Sequence, residues 1–419
     1  MSRTTADSSG RNWIGGVVLV WAGWAAIMLG YQAFVLARFE LKRPDTVLDW
    51  TASWTNADAD KRHPYLVTPV MKGHAAWDSE FYISIALHGY EDPAMRAASP
   101  ASTPDAEIAG AKRDHPTWVS LNHAFFPGYP FAMALIAHPL AAMGFPAVGA
   151  ATLAGVIVSL VATLFAMLAV ADLARRDDAP PGEPLRAAFY LAVWPAAAFL
   201  AQVYSEALFL ALSFGALAML KRRAWAWAAT LAVGAVFTRA TGVLLIIPFG
   251  MAWLGDKDRR TLGGAALAAA PLIAYGVWRL FLGADFDFVE TRYFGRWPFA
   301  ITGSIEAWHD AFGSLLEGDP QTRAYMLLEF AGAAAWLVTA LVYLRRDRAL
   351  SLYGLATLAV VLTSGAALGM HRYALSSPAL FLAPAEAGRS QVFDRIWTLV
   401  SGLGLAALAL AFSFGFWAG

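Results

Sequence analysis

Apolar residues run along this chain in blocks, with the charged residues gathered at the joins between them. The first block, Trp13–Leu36, is long enough to cross a bilayer as a helix. It follows a polar start bearing Arg3 and Arg11, and no small-residue cleavage site follows it, so it reads as a retained first span. Further blocks lie at Ala147–Leu173, Leu185–Val203, Ala207–Leu220, Ala224–Thr238, Gly242–Leu254, Leu262–Leu282, Ala324–Leu344, Leu350–Met370, Ala374–Ala385 and Trp397–Trp417. A twelfth apolar run, Phe125–Met143, is broken by Pro127, Pro130, His138 and Pro139, which suits a helix dipping into the interface.

The charges decide how these blocks are threaded. Basic clusters occur at Arg175-Arg176, Lys221–Arg223, Lys257 with Arg259-Arg260, Arg345-Arg346 with Arg348, and Arg389 with Arg395. If Phe125–Met143 crossed, these clusters would fall on the side away from Arg3 and Arg11. If it does not, they share the cytoplasmic side with Arg3 and Arg11, as the positive-inside bias requires. The pattern therefore predicts an all-α polytopic membrane protein of about 11 transmembrane helices, forming one unit over 1–419 with its N-terminus in the cytoplasm.

That threading leaves two long outer loops, 37–146 and 283–323, and loops of such length inside a compact protein usually carry function. In the first, Ser79–His88 sets Glu80, Ser84 and His88 on one stripe of an otherwise aromatic and aliphatic helix, predicted to lie in the interface. Gly89 is its natural stop. Ala97–Asp114 has the composition of a mobile insert. In the second, Ser304 is placed to cap a helix whose Ile305, Trp308, Phe312 and Leu315 face one way. Two interfacial helices on one side of a bundle suggest a cavity roofed from outside.

Composition fits this picture and removes several alternatives. Of 419 residues 58% are hydrophobic and 15% charged, where soluble domains carry about a quarter charged. The 31 basic and 31 acidic residues cancel, which argues against nucleic acid as a partner. With no cysteine, disulfides, thiolate nucleophiles and thiolate-bound metals are excluded. The histidines (His63, His74, His88, His115, His123, His309 and His371 among them) have no metal-ligand spacing, and no glycine-rich phosphate loop is present. No metal or cofactor is expected. The many tryptophans near block ends suit an interfacial belt.

A few polar residues stand out against that background. Asp78, opening the Ser79–His88 helix, suits an N-cap and equally a general base, and the two roles are compatible. Glu206, between two apolar blocks, requires a partner or a water-filled cavity. Arg239 and Arg372 fall on the outer side, against the basic bias, and Arg292 and Arg296 repeat the anomaly in the second loop. Arginine at a span end can snorkel to lipid phosphates, but several displaced together suit an anionic head group bound by bidentate forks.

These residues sit in motifs that match a known family. Trp77-Asp78-Ser79-Glu80-Phe81-Tyr82-Ile83-Ser84-Ile85-Ala86-Leu87-His88-Gly89-Tyr90 resembles the signature of the PIG-V type mannosyltransferases. Phe125-Phe126-Pro127-Gly128-Tyr129-Pro130 is similar to a second element. Trp194-Pro195-Ala196 through Tyr204-Ser205-Glu206-Ala207-Leu208-Phe209 resembles a third, with Trp194 where the family usually has asparagine. Thr238-Arg239-Ala240-Thr241-Gly242 and His371-Arg372-Tyr373 resemble two later ones, so that five elements run in order from Trp77 to Pro384.

The resemblance implies a multispan C-type (GT-C-like) glycosyltransferase that moves mannose from a polyprenyl-phosphate donor to a hydroxyl of a lipid, glycan or protein acceptor. Its catalytic aspartate maps to Asp78, with Glu206 as a second acid. Arg239, Arg372, His371 and Arg296 would hold the donor phosphate, and Trp77, Glu80, Tyr82, Tyr129 and Tyr204 would line the substrate pocket. In-line attack would invert the anomeric carbon. The expected location is the cell membrane, with the active site on the extracytoplasmic face. The rival from another class is a lipid or sugar transporter, or flippase; the crowding of polar residues on one face favours an enzyme.

Overall fold

The computed structural model describes residues 6–40, 44–56, 62–98, 118–176, 178–180 and 182–419, and is helical almost throughout. Among these residues strands pair once, Arg96–Ala98 antiparallel to Trp118–Ser120. Most of the insert expected over Ala97–Asp114 lies outside the described residues, as do Arg3 and His115.

Among the described residues, five helices are long and apolar enough to cross a membrane: Trp13–Arg38, Ala147–Ala174, Leu262–Gly283, Pro320–Tyr343 and Gln391–Ser413. A sixth crossing is possible by length if the pair Glu183–Val193 and Pro195–Ala201, bent by 81°, counts as one. The chain is thus a multi-pass membrane protein, in which five or six of the eleven predicted spans have a single helix or bent pair of crossing length. Ala207–Leu220 and Ala224–Thr238 correspond to the helices Glu206–Lys221 and Trp225–Thr238, 16 and 14 residues long. Gly242–Leu254 divides into a 3₁₀ stretch, Ala240–Leu245, and a helix, Ile246–Gly255. The block Leu350–Met370 leaves helix after Leu362. Two of these interruptions, after Thr238 and after Leu362, line the same cavity. Non-helical backbone is tolerated at membrane depth where it is buried in protein or lines a cavity, and here it lines one.

Ala147–Ala174 is the central post. Its inward stripe is small (Gly155, Ser159, Ala162, Ala166), so neighbouring backbones approach closely; a Cβ on Gly155 would come within 2.8 Å of Val203. The helix Gly128–Ala142 packs alongside it, with the Tyr129 hydroxyl between the carbonyl of Gly155 (3.0 Å) and Ser159 (2.9 Å), and is joined to it by the tight turn at Gly144.

The basic clusters gather at the far end of the bundle from the cavity. Arg176 bonds Glu183 at 2.9 Å and pairs with Glu386; Arg346 reaches Glu386 at 3.1 Å, and Arg389 reaches Glu183 at 2.9 Å. Arg222 pairs with Asp172 and Arg223 with Asp256, both at 2.6 Å, drawing in the neighbouring clusters.

Of the two loop helices, the first departs from expectation in its burial and the second only in where it starts. Ser79–His88 is buried within protein rather than lying in the interface, because its polar stripe has internal partners: Glu80 meets His63 at 2.6 Å, and Ser84 donates to Asp92 at 2.7 Å. In the second loop the helix runs over Ile301–Glu317 and starts before Ser304, whose hydroxyl instead accepts from the Gly365 N–H at 2.9 Å. Its Ile301, Ile305, Phe312 and Leu316 are exposed, an outward apolar stripe suited to a membrane surface.

Candidate active site

Asp78 reaches its place through a strained turn. Trp77 has a φ of 54°, a left-handed value uncommon away from glycine, and such strain concentrates at functional sites. The Ser79 hydroxyl accepts from the Ala76 N–H at 3.1 Å, and the Asp78 N–H donates to the Tyr204 hydroxyl at 3.2 Å. The Asp78 carboxylate makes no capping bond to its own helix; its Oδ2 accepts from Arg372 Nη1 at 3.3 Å. The cap reading is therefore set aside, and the carboxylate is left for the cavity.

Three arginines converge beside it. Arg239 follows the helix Trp225–Thr238 in an extended turn that Gly242 makes possible: a Cβ there would lie 2.7 Å from the backbone of Ala235 and Val236. Its Nη1 donates to Glu206 Oε1 at 2.6 Å. Arg372 sits on the single turn Met370–Tyr373, entered through Gly369 at φ 80°, and is only 4% exposed. It lies between Asp78 and Glu206 Oε1, the latter 3.6 Å from its Nε, with its guanidinium 5.3 Å from the Phe199 ring and 5.5 Å from the Tyr204 ring. Arg296 donates to the Tyr373 hydroxyl. Arg239, Arg296 and Arg372 each stand 5.2 Å from the centre of the Tyr373 ring. Burial would raise the Tyr373 phenol, but Arg296, Arg372 and Arg239 together hold it below its ordinary value.

Asp78, Arg239, Arg296, Arg372 and Tyr373 line a cavity of about 570 Å³, as do Trp77 and Tyr82. The Tyr82 hydroxyl donates to Ser205 at 2.9 Å. Other expected pocket residues stand behind this surface. Glu206 is buried beneath the arginines, Glu80 is turned to His63, and Tyr129 and Tyr204 support the wall by hydrogen bonds to Ser159 and Asp78. His371 lies off the cavity altogether. Its Nδ1 is 3.2 Å from Glu329, its Nε2 is 2.8 Å from the Ala418 carbonyl, and it is wholly buried, so both ring nitrogens are committed to protein. Glu329 also accepts from the N–H groups of Gly369 and Met370, at 2.6 Å each. His371 therefore fixes the turn that carries Arg372. Arg292 is exposed on the outside of its helix.

The cavity includes residues the motifs did not single out. Tyr373 was legible as the neighbour of Arg372. Glu290, Trp50, Trp54 and Trp417 had no signal beyond lying in loops or near an end, because their convergence depends on tertiary contacts. Burial raises the Glu290 carboxyl to about 7, Arg296 offsets part of the rise, and Asp78 adds to it.

The sequence matches the family model Mannosyltransferase (PIG-V) over residues 114–252. The chain is 32% identical over 183 residues to GPI alpha-1,6-mannosyltransferase 2 of Mus musculus, and 33% identical over 186 residues to that of Cricetulus griseus. Each match takes in 42% of this chain and 30% of the relative, so the shared part is less than a third of those proteins. Among solved structures, the chain is similar to the Archaeoglobus fulgidus oligosaccharyltransferase tethered with an acceptor peptide, at 12% identity and a TM-score of 0.46, over 98% of this chain and 56% of that one. A second structure of oligosaccharyltransferase AglB from the same organism, with an inhibitory peptide and a dolichol-phosphate, gives 12% and 0.44. The ordered motifs from Trp77 to Pro384 and the match over residues 114–252 point to one family, and this chain is a relative of the PIG-V type mannosyltransferases.

Proposed function

We propose that this protein is a membrane glycosyltransferase that moves mannose from a polyprenyl-phosphate donor to an acceptor hydroxyl at this cavity, on the extracytoplasmic face. The observation that carries the reading is the pairing of one carboxylate, Asp78, with three arginines around Tyr373 in a single cavity. A sugar already bonded to phosphate has a good leaving group, so the reaction asks for two things. A base must take the acceptor's proton, and a cationic surface must receive the charge appearing on the phosphate.

In this reading the acceptor oxygen attacks the anomeric carbon as the bond from that carbon to the phosphate oxygen breaks. The bonding pair leaves with the phosphate, and the acceptor's proton passes to Asp78. Attack opposite the leaving group inverts the anomeric configuration. Arg239, Arg296 and Arg372 hold the departing phosphate, and Glu206 acts as a positioning residue through its contacts with Arg239 and Arg372. These arginines meet the charge.

Purified protein in detergent, given polyprenyl-phosphate mannose labelled in the sugar, should release the label to an acceptor or to water with no sealed membrane present. A transporter has no turnover under these conditions, and an inert preparation that still binds the donor would favour that rival.

A further inference from the structure

The candidate span Pro320–Tyr343 carries a polar stripe at every fourth position: Gln321, Tyr325 and Glu329. Residues spaced by four lie one above the other on a helix, so the three share one face. Glu329 is wholly buried, and a carboxylate inside a span is costly unless it is paired. Its partners belong to one short turn. The Gly369 N–H donates to Oε1 and the Met370 N–H to Oε2, at 2.6 Å each. His371 Nδ1 stands 3.2 Å from Oε2, and the Tyr325 hydroxyl is hydrogen-bonded to the same carboxylate.

At its other end the stripe reaches the cavity. Trp417 forms a tryptophan wall there with Trp50, Trp54 and Trp77 of the first loop, meeting Trp50 and Trp77 edge-on with ring centres 4.8 Å and 5.1 Å away. Its Nε1 donates to the Tyr325 hydroxyl at 2.8 Å. Its backbone N–H donates to Asp45 Oδ2 at 2.8 Å, and Gln321 Nε2 donates to Oδ1 of that carboxylate at 2.5 Å. Hydrogen bonds thus run from Asp45 in the first loop, through Trp417, Tyr325 and Glu329, to the turn Met370–Tyr373 that carries Arg372.

Arg372 depends on that turn for its place. The polar contacts of its side chain are long: 3.3 Å to Asp78, 3.5 Å to the Tyr373 hydroxyl and 3.6 Å to Glu206. The turn itself is four residues long and is gripped at its start by the two short bonds to Glu329. We propose that Glu329 is a positioning residue, whose carboxylate sets Arg372 at the phosphate subsite and, through Tyr325, ties it to Trp417 in the tryptophan wall. The proposal rests on the transferase reading above. Glutamine matches Glu329 in size but has one accepting oxygen, so it would set an NH2 group against one of the two N–H donors and displace the turn.

The test is release of labelled mannose from polyprenyl-phosphate mannose by the full-length protein in detergent, with the unfolding temperature of each variant recorded. Glu329→Gln should raise the donor KM about tenfold, the size of one misplaced charge-assisted hydrogen bond, with kcat changed less. In an Arg372→Lys background, which itself raises donor KM, Glu329→Gln should add nothing further, because it acts through the fork that lysine lacks. Tyr325→Phe should show the same dependence on Arg372 with a donor KM raised about threefold, the share of one neutral hydrogen bond, and it decides the matter if Glu329→Gln does not fold. A parent-like donor KM in whichever of the two variants folds, or an effect that multiplies with Arg372→Lys, would leave Glu329 a packing residue while the transferase stands. No donor turnover in the parent would overturn both readings.

Discussion

At the residue scale, Asp78 is the first test. Because its carboxylate caps nothing in its own helix, Asp78→Asn costs no capping bond, only the contact with Arg372. Sugar transfer should fall by about 10²–10⁴-fold, the usual share of a general base, with the unfolding temperature close to the parent's. Glu206→Gln is the informative comparison: buried between two arginines, it should weaken donor KM more than kcat. Equal activity in Asp78→Asn would move the base elsewhere. Glu290 supplies a pH signature. Its carboxyl is raised to about 7, so it is largely neutral below that pH and charged above it. A charged Glu290 repels the donor phosphate in the same cavity, and by linkage its proton and the bound anion favour each other. Donor KM should therefore climb as pH rises through about 7, and Glu290→Gln should flatten that limb. A parent-like profile in the variant would remove Glu290 from the phosphate's surroundings.

At the element scale, the arginines are aimed by backbone that only small residues permit. Gly242 lets the chain after Arg239 fold onto its own helix, and Gly332 lets the helix Pro320–Tyr343 pass His371, whose backbone would lie 2.5 Å from an added Cβ. Gly242→Ala should cost about 1–3 kcal/mol of stability, the usual range for overpacking, and should raise donor KM by displacing Arg239. Gly250→Ala, in the helix Ile246–Gly255 with nothing within 4 Å of the new carbon, is the control and should leave both unchanged or slightly improve stability. Thermal unfolding and donor kinetics of the pair decide it; matching behaviour would mean that the close approach at Gly242 does not position Arg239.

At the scale of the whole molecule, the prediction concerns sidedness. The basic clusters share one end, and the cavity lies at the other. The positive-inside bias predicts that the cavity end is extracytoplasmic. In this cysteine-free chain, Ser102→Cys, in the part of the first loop outside the described residues, should react with an impermeant thiol reagent in intact cells. Lys257→Cys, at the basic end, should react only after lysis. The opposite pattern would invert the protein and with it the source of its donor.

The sequence determined the solvent, the fold class and the chemical inventory. Block length and charge bias follow from the cost of burying backbone and charge in lipid, and that cost acts locally, so it is written in consecutive residues. The motifs likewise named Asp78, Arg239 and Arg372, which the fold gathers into one cavity with Arg296. Only the tertiary structure decided which apolar blocks run unbroken, because a short or interrupted helix is satisfied by neighbours distant in sequence. It also decided which way each polar side chain faces. Asp78 is turned from cap to cavity by a residue 294 positions away, His371 from cavity to clamp by Glu329 and the Ala418 carbonyl, and Ser79–His88 from membrane surface to interior by its buried partners. The tryptophan wall is the extreme case: three of its rings come from the first loop and one from beyond the last span, and only the closed fold brings them together.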